Sequence, residues 1–438
     1  MKKFVSFILI LAICLAFSSC GVDPEKYSLA LGAKAMEVRP SDLQQVSYER
    51  FLDKLDTFAA KLTYEVYEDS NQQTNICISP VSVYMALALA TECANGETRD
   101  EILNAVGVTY DEVKEFTKVL YSFSNREYYY TNMLGEKKIL AFEELANSIW
   151  VNKNTTLKED GINNLANNFH CDLFSVNFQT SEGEKAINAY IKEKTHGVID
   201  SDIDLSPETL ITLINTIYLK EVWNEDGDKL KFTDKTYDFK NADGTVTNTK
   251  LLQGYYFYGN IYEGDGYTSF YTSTDHGFDI KFIVPTDGHT LEEVFTADNI
   301  YKINNLGDYG YIDEENKLLH HTRVFFPEYK ASYDGDLAGI LKHDFGINDL
   351  FDFETCDFSN ITDEQLACSG VIHQCSIDVN DRGIEGAAVT VMPMCGAAGP
   401  LEGYEKVYHD YIVDRAFGFV ITDSDGAVLF SGVVNHVN

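Results

Sequence analysis

Residues 383–400 hold few side chains that could anchor them to a core: Gly383, Gly386, Ala387, Ala388, Gly396, Ala397, Ala398 and Gly399 all fall within this stretch. Glycine at such density marks a surface loop. Yet residues 387–391 carry no charge and end in Val389, Thr390 and Val391, which suit the pleated surface of a sheet. A segment fitted both to an exposed loop and to a buried strand is a candidate bistable element. An ordinary long glycine-rich loop is the plainer alternative, and the flanking sequence has to decide between them.

At 438 residues and 45% hydrophobic, the chain has material for a substantial core. Its net charge of −35, from 69 acidic and 34 basic residues, disfavours nucleic acid or an anionic membrane as partner. Solubility is the plainer account of that acidity. The body of the chain has no apolar run long enough to span a bilayer. Residues 1–20 stand apart: Lys2 and Lys3 precede the apolar run 4–17, followed by Ser18, Ser19 and Cys20. This reads as a secretory signal peptide. Its end resembles a bacterial lipobox, which implies cleavage before Cys20 and lipid attachment to it, although Phe17 stands where leucine is usual. The expectation is an extracellular protein, lipid-anchored at the cell surface or freely secreted. With Cys14 and Cys20 set aside, seven cysteines remain at 77, 93, 171, 356, 368, 375 and 395. An odd number without CxxC spacing supports neither a disulfide framework nor a zinc site, so most are read as buried small hydrophobes.

Residues 21–44 read as a tether. Phe51, Leu55, Phe58, Leu62 and Val66 then recur at helical spacing. A short buried strand follows, ending at Ser79-Pro80, where Ser79 caps a nearly all-apolar helix and Pro80 opens it. Residues 145–151 and 175–178 read as strands, with a helix at 159–169 between them. A helix at 186–199 is stopped by Gly197. Residues 210–223 read as a central strand buried on both faces. Residues 230–320 are β-rich. From 323 to 346 the pattern is strand, Pro327, helix. Residues 423–426 make a hairpin turn between two terminal strands. Helices and strands mix without βα alternation, which argues an α+β fold around a large mixed sheet.

These blocks, in this order, resemble the serpin family, and the resemblance covers roughly residues 45–437. The block around Ser79-Pro80, the strand ending at Trp223 and the run from 371 into Gly383 carry most of it. It implies a single serpin domain over 45–438, with about eight to nine helices, three β-sheets, a large central mixed sheet and an exposed reactive-centre loop near 383–410. It further implies inhibition of serine proteases by a suicide-substrate mechanism. A protease cuts the loop, becomes trapped as an acyl-enzyme, and is carried off as the loop inserts as a new central strand. The chemistry belongs to the target, so the inhibitor needs no catalytic residue, metal or cofactor.

By the same resemblance, Gly383, Ile384, Glu385, Gly386, Ala387, Ala388, Val389 and Thr390 form the hinge. The bait bond falls at Ala397-Ala398. Small residues there suit an elastase-like or subtilisin-like protease, with a cysteine protease as a further target class; Val391, Met392, Met394 or Leu401 are alternative positions before the cut. Ser79, Ser82, Asn215 and His373 match the gate, or shutter, beneath the inserting strand, and Trp223 the breach where insertion begins. Several residues depart from the pattern. Ile384 replaces a small hydroxyl residue, Gly386 replaces alanine, and Pro393 removes a ladder bond if insertion reaches it. Glu328 stands where lysine would pair with Asp381. The segment after the bait bond is about eight residues longer than usual. Cys395, two residues before that bond, is an exposed thiol on this reading, which suggests redox-sensitive inhibition.

No HExxH, P-loop, GxSxG or GxGxxG occurs. Residues 378–383 open like a calcium loop but lack its acidic twelfth position, where Val389 stands. His320-His321 reads as a strand-end pair. Two other readings therefore stand beside the monomeric inhibitor. One is a non-inhibitory serpin acting as a binding or substrate-like surface protein; the other, a surface hydrolase, has no nucleophile–base motif behind it.

Overall fold

The computed structural model describes residues 22–32, 45–70, 73–123, 125, 127–131, 137–200, 203, 205, 209–223, 230–254, 261–274, 276–305, 312–313, 317–384 and 405–437. The chain begins with a 3-10 turn, Pro24–Tyr27, and β1 (Ser28–Ala30), followed by α1 (Gln45–Asp69), β2 (Ile76–Ile78) and α2 (Pro80–Cys93). Next come α3 (Gly96–Val106), α4 (Tyr110–Phe123), β3 (Glu127–Thr131), β4 (Lys137–Asn152), α5 (Glu159–Asn168), β5 (Cys171–Val176), α6 (Ser181–Lys194) and β6 (Ile211–Val222). The middle of the chain is mostly β: β7 (Tyr237–Lys240), β8 (Val246–Thr249), β9 (Leu252–Gln253), β10 (Ile261–Glu263), β11 (Tyr267–Ser273) and β12 (Asp279–Pro285). Two short helices, α7 (Leu291–Val294) and α8 (Ala297–Asn304), lead to β13 (Ile312–Asp313), β14 (Leu318–Phe326), β15 (Tyr329–Asp336) and α9 (Ala338–His343). The last strands are β16 (Ile372–Asn380), β17 (Gly383–Ile384), β18 (Glu405–Ile412), β19 (Phe417–Thr422) and β20 (Val428–Val434).

The expected α+β architecture is present. An eight-stranded mixed sheet runs β1-β5-β4-β6-β17-β16-β15, with β3 added to β4. A six-stranded sheet runs β10-β11-β12-β19-β20-β2, and a four-stranded sheet is built on β14 and β18. β7 and β8 form a separate hairpin. The main core fills the space between the two large sheets and around α1 and α2. Phe51, Leu55, Phe58, Leu62 and Val66 all point into it from α1, as their spacing requires. Every residue of α2 is buried, and Ser79 caps it by accepting the Ser82 N–H. On the opposite face of the central sheet, α6 packs Ala186, Ile187, Tyr190 and Ile191 against Trp150 and Phe174.

Three elements differ from the sequence reading. Residues 22–32, read as part of a tether, contribute a strand: β1 pairs antiparallel with the edge strand β5, and Val22 and Tyr27 pack against the cluster under α6. The strand expected at 175–178 lies earlier, at Cys171–Val176. Between Pro327 and α9 the chain forms a full strand, β15, where a direct entry into helix was expected.

Candidate functional site

Trp223 directly follows the central strand β6, fully buried against Phe326 at a ring separation of 5.6 Å. Its indole N–H donates to the Asn380 carbonyl at 2.7 Å. That bond fixes the corner where β16 turns back, and two more hold the next residue: the Asp381 N–H donates to a Glu328 carboxylate oxygen at 2.9 Å, and the Asp381 carbonyl accepts from the Leu230 N–H at 2.8 Å. Glu328 thus reaches Asp381 through the backbone, without the side-chain ion pair a lysine would make.

Beyond this corner the chain reverses and enters the sheet. Gly383 and Ile384 pair with Asn380 and Val379 of β16 on one side, and with Val222 and Glu221 of β6 on the other. Both ladders are antiparallel, so β6 and β16 run in the same direction with two residues of a third strand between their ends. A Cβ on Gly383 would lie 1.9 Å from the Glu221 carbonyl oxygen, so only glycine fits this approach. Ile384 is fully buried. Its ladder partner Glu221 belongs to a buried pair: His276 Nδ1 lies 2.8 Å from Glu221 Oε1.

Past Ile384, β6 and β16 form no ladder with each other among the described residues. A cavity of about 10 Å³ lies between them, lined by Ile217 and Leu219 of β6, Ile377 of β16, Phe430 below, and Val198 and Ile199 from the exit of α6 above. Such a volume is roughly one water in size. The apolar lining is thus closed by side chains, while the two backbones remain unzipped.

Farther down the gap the structure brings Ser79, Ser82, Asn215 and His373 together. The Ser79 N–H donates to His373 Nε2 at 3.1 Å. The Ser82 N–H donates to Ser79 Oγ at 3.3 Å, and the Ser82 hydroxyl donates to the Asn215 carbonyl at 3.4 Å. The Asn215 side-chain amide donates to the Asn147 side-chain carbonyl. One end of α2 therefore touches both strands bordering the gap. Burial pushes the His373 imidazole down to about 4, so the ring is neutral and can accept at Nε2. Asn147 belongs to this cluster and was missed by sequence reasoning; its place opposite Asn215 depends on the β4–β6 register.

Beyond residue 404, β18 pairs in parallel with β14 over eight residues, and the Arg323 guanidinium grips the Asp410 carboxylate through its Nε and one terminal nitrogen. Part of the long segment after the expected bait bond is thus strand. His320 and His321 fall within β14. Residues 385–404, with the remaining expected hinge positions Glu385, Gly386, Ala387, Ala388, Val389 and Thr390, the expected bait bond Ala397-Ala398 and Cys395, lie outside the described residues, as does Cys20. The six described cysteines are all free and buried.

A family profile described as Serpin (serine protease inhibitor) matches residues 53–437. The chain belongs to the serpin family. Among curated relatives, it is 25% identical over 413 residues to "Putative serpin-Z5" of Oryza sativa subsp. japonica, covering 87% of this chain and 88% of that one. It is 26% identical over 387 residues to "Alpha-1-antiproteinase S" of Cavia porcellus, covering 85% and 87%. Among solved structures, Serpin48 of the insect Tenebrio molitor superposes with a TM-score of 0.69 at 23% identity, covering 89% of this chain and 99% of that one. This is a serpin fold, and members of the family are in general inhibitors of serine proteases.

Proposed function

We propose that this serpin inhibits a serine protease by suicide insertion of residues 385–397 between β6 and β16. The carrying observation is the two-residue ladder at Gly383 and Ile384, which starts a strand in a gap whose bordering backbones are otherwise unpaired to each other. Its register dictates the rest. Continued without a bulge, Ala388 falls between Ile217 and Cys375, and Thr390 between Asn215 and His373. Ile384, Gly386, Ala388 and Thr390 then face the core, where the small ones fit. Glu385 faces away, towards the α6 side. Pro393 falls opposite Thr212, beyond the first residue of β16, so its missing N–H deprives only one neighbour. Up to residue 391 each added residue falls between a partner on β6 and one on β16, its ladder bonds alternating between the two, and each advances the bait end by about 3.3 Å.

The bait bond is proposed at Ala397-Ala398 by counting the family's usual hinge length from Gly383, and the small residues there suit an elastase-like or subtilisin-like target. Cys20 is the proposed lipid attachment site, holding the protein at the cell surface; a Cys20→Ser variant shed from the membrane fraction into the medium is the outcome that supports it. To test inhibition, the protein is mixed with pancreatic elastase, neutrophil-type elastase and subtilisin. A protease–serpin band surviving denaturant, with a released fragment beginning at Ala398, is expected. Clean cleavage without that band, and no rise in melting temperature after cleavage, would support the substrate-like alternative, which Ile384 and Gly386 favour.

A further inference from the structure

Below β16, near His373, two thiols meet. Cys77 Sγ and Cys375 Sγ are 3.4 Å apart, and both residues are buried. Cys77 is the middle residue of β2, in the six-stranded sheet. Cys375 lies two residues past His373 in β16, and both face the same core. The pair therefore spans the two large sheets. A disulfide needs its sulfurs at about 2.05 Å, so closing it calls for a small adjustment between β2 and β16, which pack directly on each other. Cys375 also occupies a mechanical position. On the loop-insertion reading above, the residue passing beside it is Ala388.

We propose that Cys77 and Cys375 are a redox-set staple, joined by a disulfide when the chain folds under oxidising conditions and left as two thiols otherwise. A thiolate of the pair attacks a disulfide-class oxidant such as glutathione disulfide. This forms a mixed disulfide and releases one glutathione thiolate. The second cysteine thiolate displaces the other glutathione, closing the Cys77–Cys375 bond. Two electrons pass to the oxidant, which leaves as two thiols, and the two cysteines give up two protons. Burial pushes the Cys77 thiol well above its ordinary range, so the finished core shields the reduced pair. The state is set during folding and kept afterwards. Oxidised, β16 is tied to the six-stranded sheet, and β6 alone must move when the gap widens. The oxidised protein then admits its loop more slowly, and a larger share of the serpin is cut without trapping the protease.

The test refolds the full chain either in a mixture of oxidised and reduced glutathione or in excess reductant, then alkylates free thiols and maps peptides. Expected from the oxidising arm are the Cys77 and Cys375 peptides joined and two hydrogens lighter, an unfolding midpoint raised by about 5 °C, and a higher ratio of cleaved to trapped serpin with elastase. Cys77→Ser and Cys375→Ser variants refolded in the same oxidant should show none of these. Folded protein with both thiols alkylated after oxidative refolding would overturn the proposal. So would joined peptides with an unchanged midpoint and an unchanged ratio. If neither elastase nor subtilisin is trapped in either arm, the inhibitory reading fails, and the staple is judged on the peptides and midpoint alone.

Discussion

Gly383 stands where no side chain fits, against the Glu221 carbonyl. Gly383→Ala should force β17 out of its place or spread β6 from β16, costing about 1–3 kcal/mol; denaturant unfolding of the uncut protein measures it. Two buried titratable groups pull stability in opposite directions with pH. Asp56 is pushed up from 3.8 to about 7 by burial, against the opposing effects of Lys281 and of the Asn304 and Asn305 side chains. The fold therefore holds the Asp56 proton more tightly than the unfolded chain does, and this stability, full below about pH 4, is lost as pH rises through about 7. His373 is depressed from 6.5 to about 4 by burial. Its stability is present above pH 6.5 and lost as pH falls through about 4. Between roughly pH 4 and 6.5 the two slopes oppose, each up to about 1.4 kcal/mol per pH unit. Asp56→Asn should make the protein lose stability on acidification, and His373→Gln should make it gain; denaturant midpoints at pH 4.5, 5.5 and 6.5 give the sign.

Elements differ in how far their sequence betrays them. α2 was readable because nearly every position before Glu92 is apolar or small and Ser79-Pro80 marks its start. β6 was readable because both its faces are buried. β15 was not, since only Tyr329 and Ala331 are buried along it and its Asp334, Gly335 and Asp336 read as a turn. β1 is three residues long, with exposed Leu29 at its centre, and only its pairing with β5 defines it. The expected hinge lay in the sequence as composition, but the register of Gly383 and Ile384 did not, because that depends on Trp223, Asn380 and Asp381 meeting across distant parts of the chain. Ser79, Ser82, Asn215 and His373 were singled out by family resemblance; spacing alone does not bring Ser79 to His373. The N-terminal segment makes a prediction of its own. Val22 and Tyr27 pack on the cluster holding Trp150 and Phe174, and the Gly32 N–H donates to Asp172 at 2.7 Å. Deleting residues 22–32 should lower stability by about 2–4 kcal/mol through lost apolar burial, seen as a lower melting temperature with unchanged far-ultraviolet circular dichroism.

For the whole molecule, a net charge of −35 adds a diffuse repulsion that unfolding relieves. Most ion pairs among the described residues are solvent-exposed, such as Lys192–Asp200 and Lys302–Asp298, and contribute little. Raising sodium chloride from 20 to 200 mM should therefore raise the melting temperature, because screening weakens the repulsion more than it weakens these pairs. A falling midpoint would mean that local pairs outweigh net charge.

The short ladder at Gly383 and Ile384 also bears on timing. Starting a strand between two others is slow when alignment must be searched for, because chain freedom is surrendered before any bond repays it. On the loop-insertion reading proposed above, alignment is settled before a protease arrives. What remains is propagation, each residue falling into a slot dictated by the one above it. Insertion on that reading is a race against hydrolysis of the trapped ester in which the slow first step has already been taken.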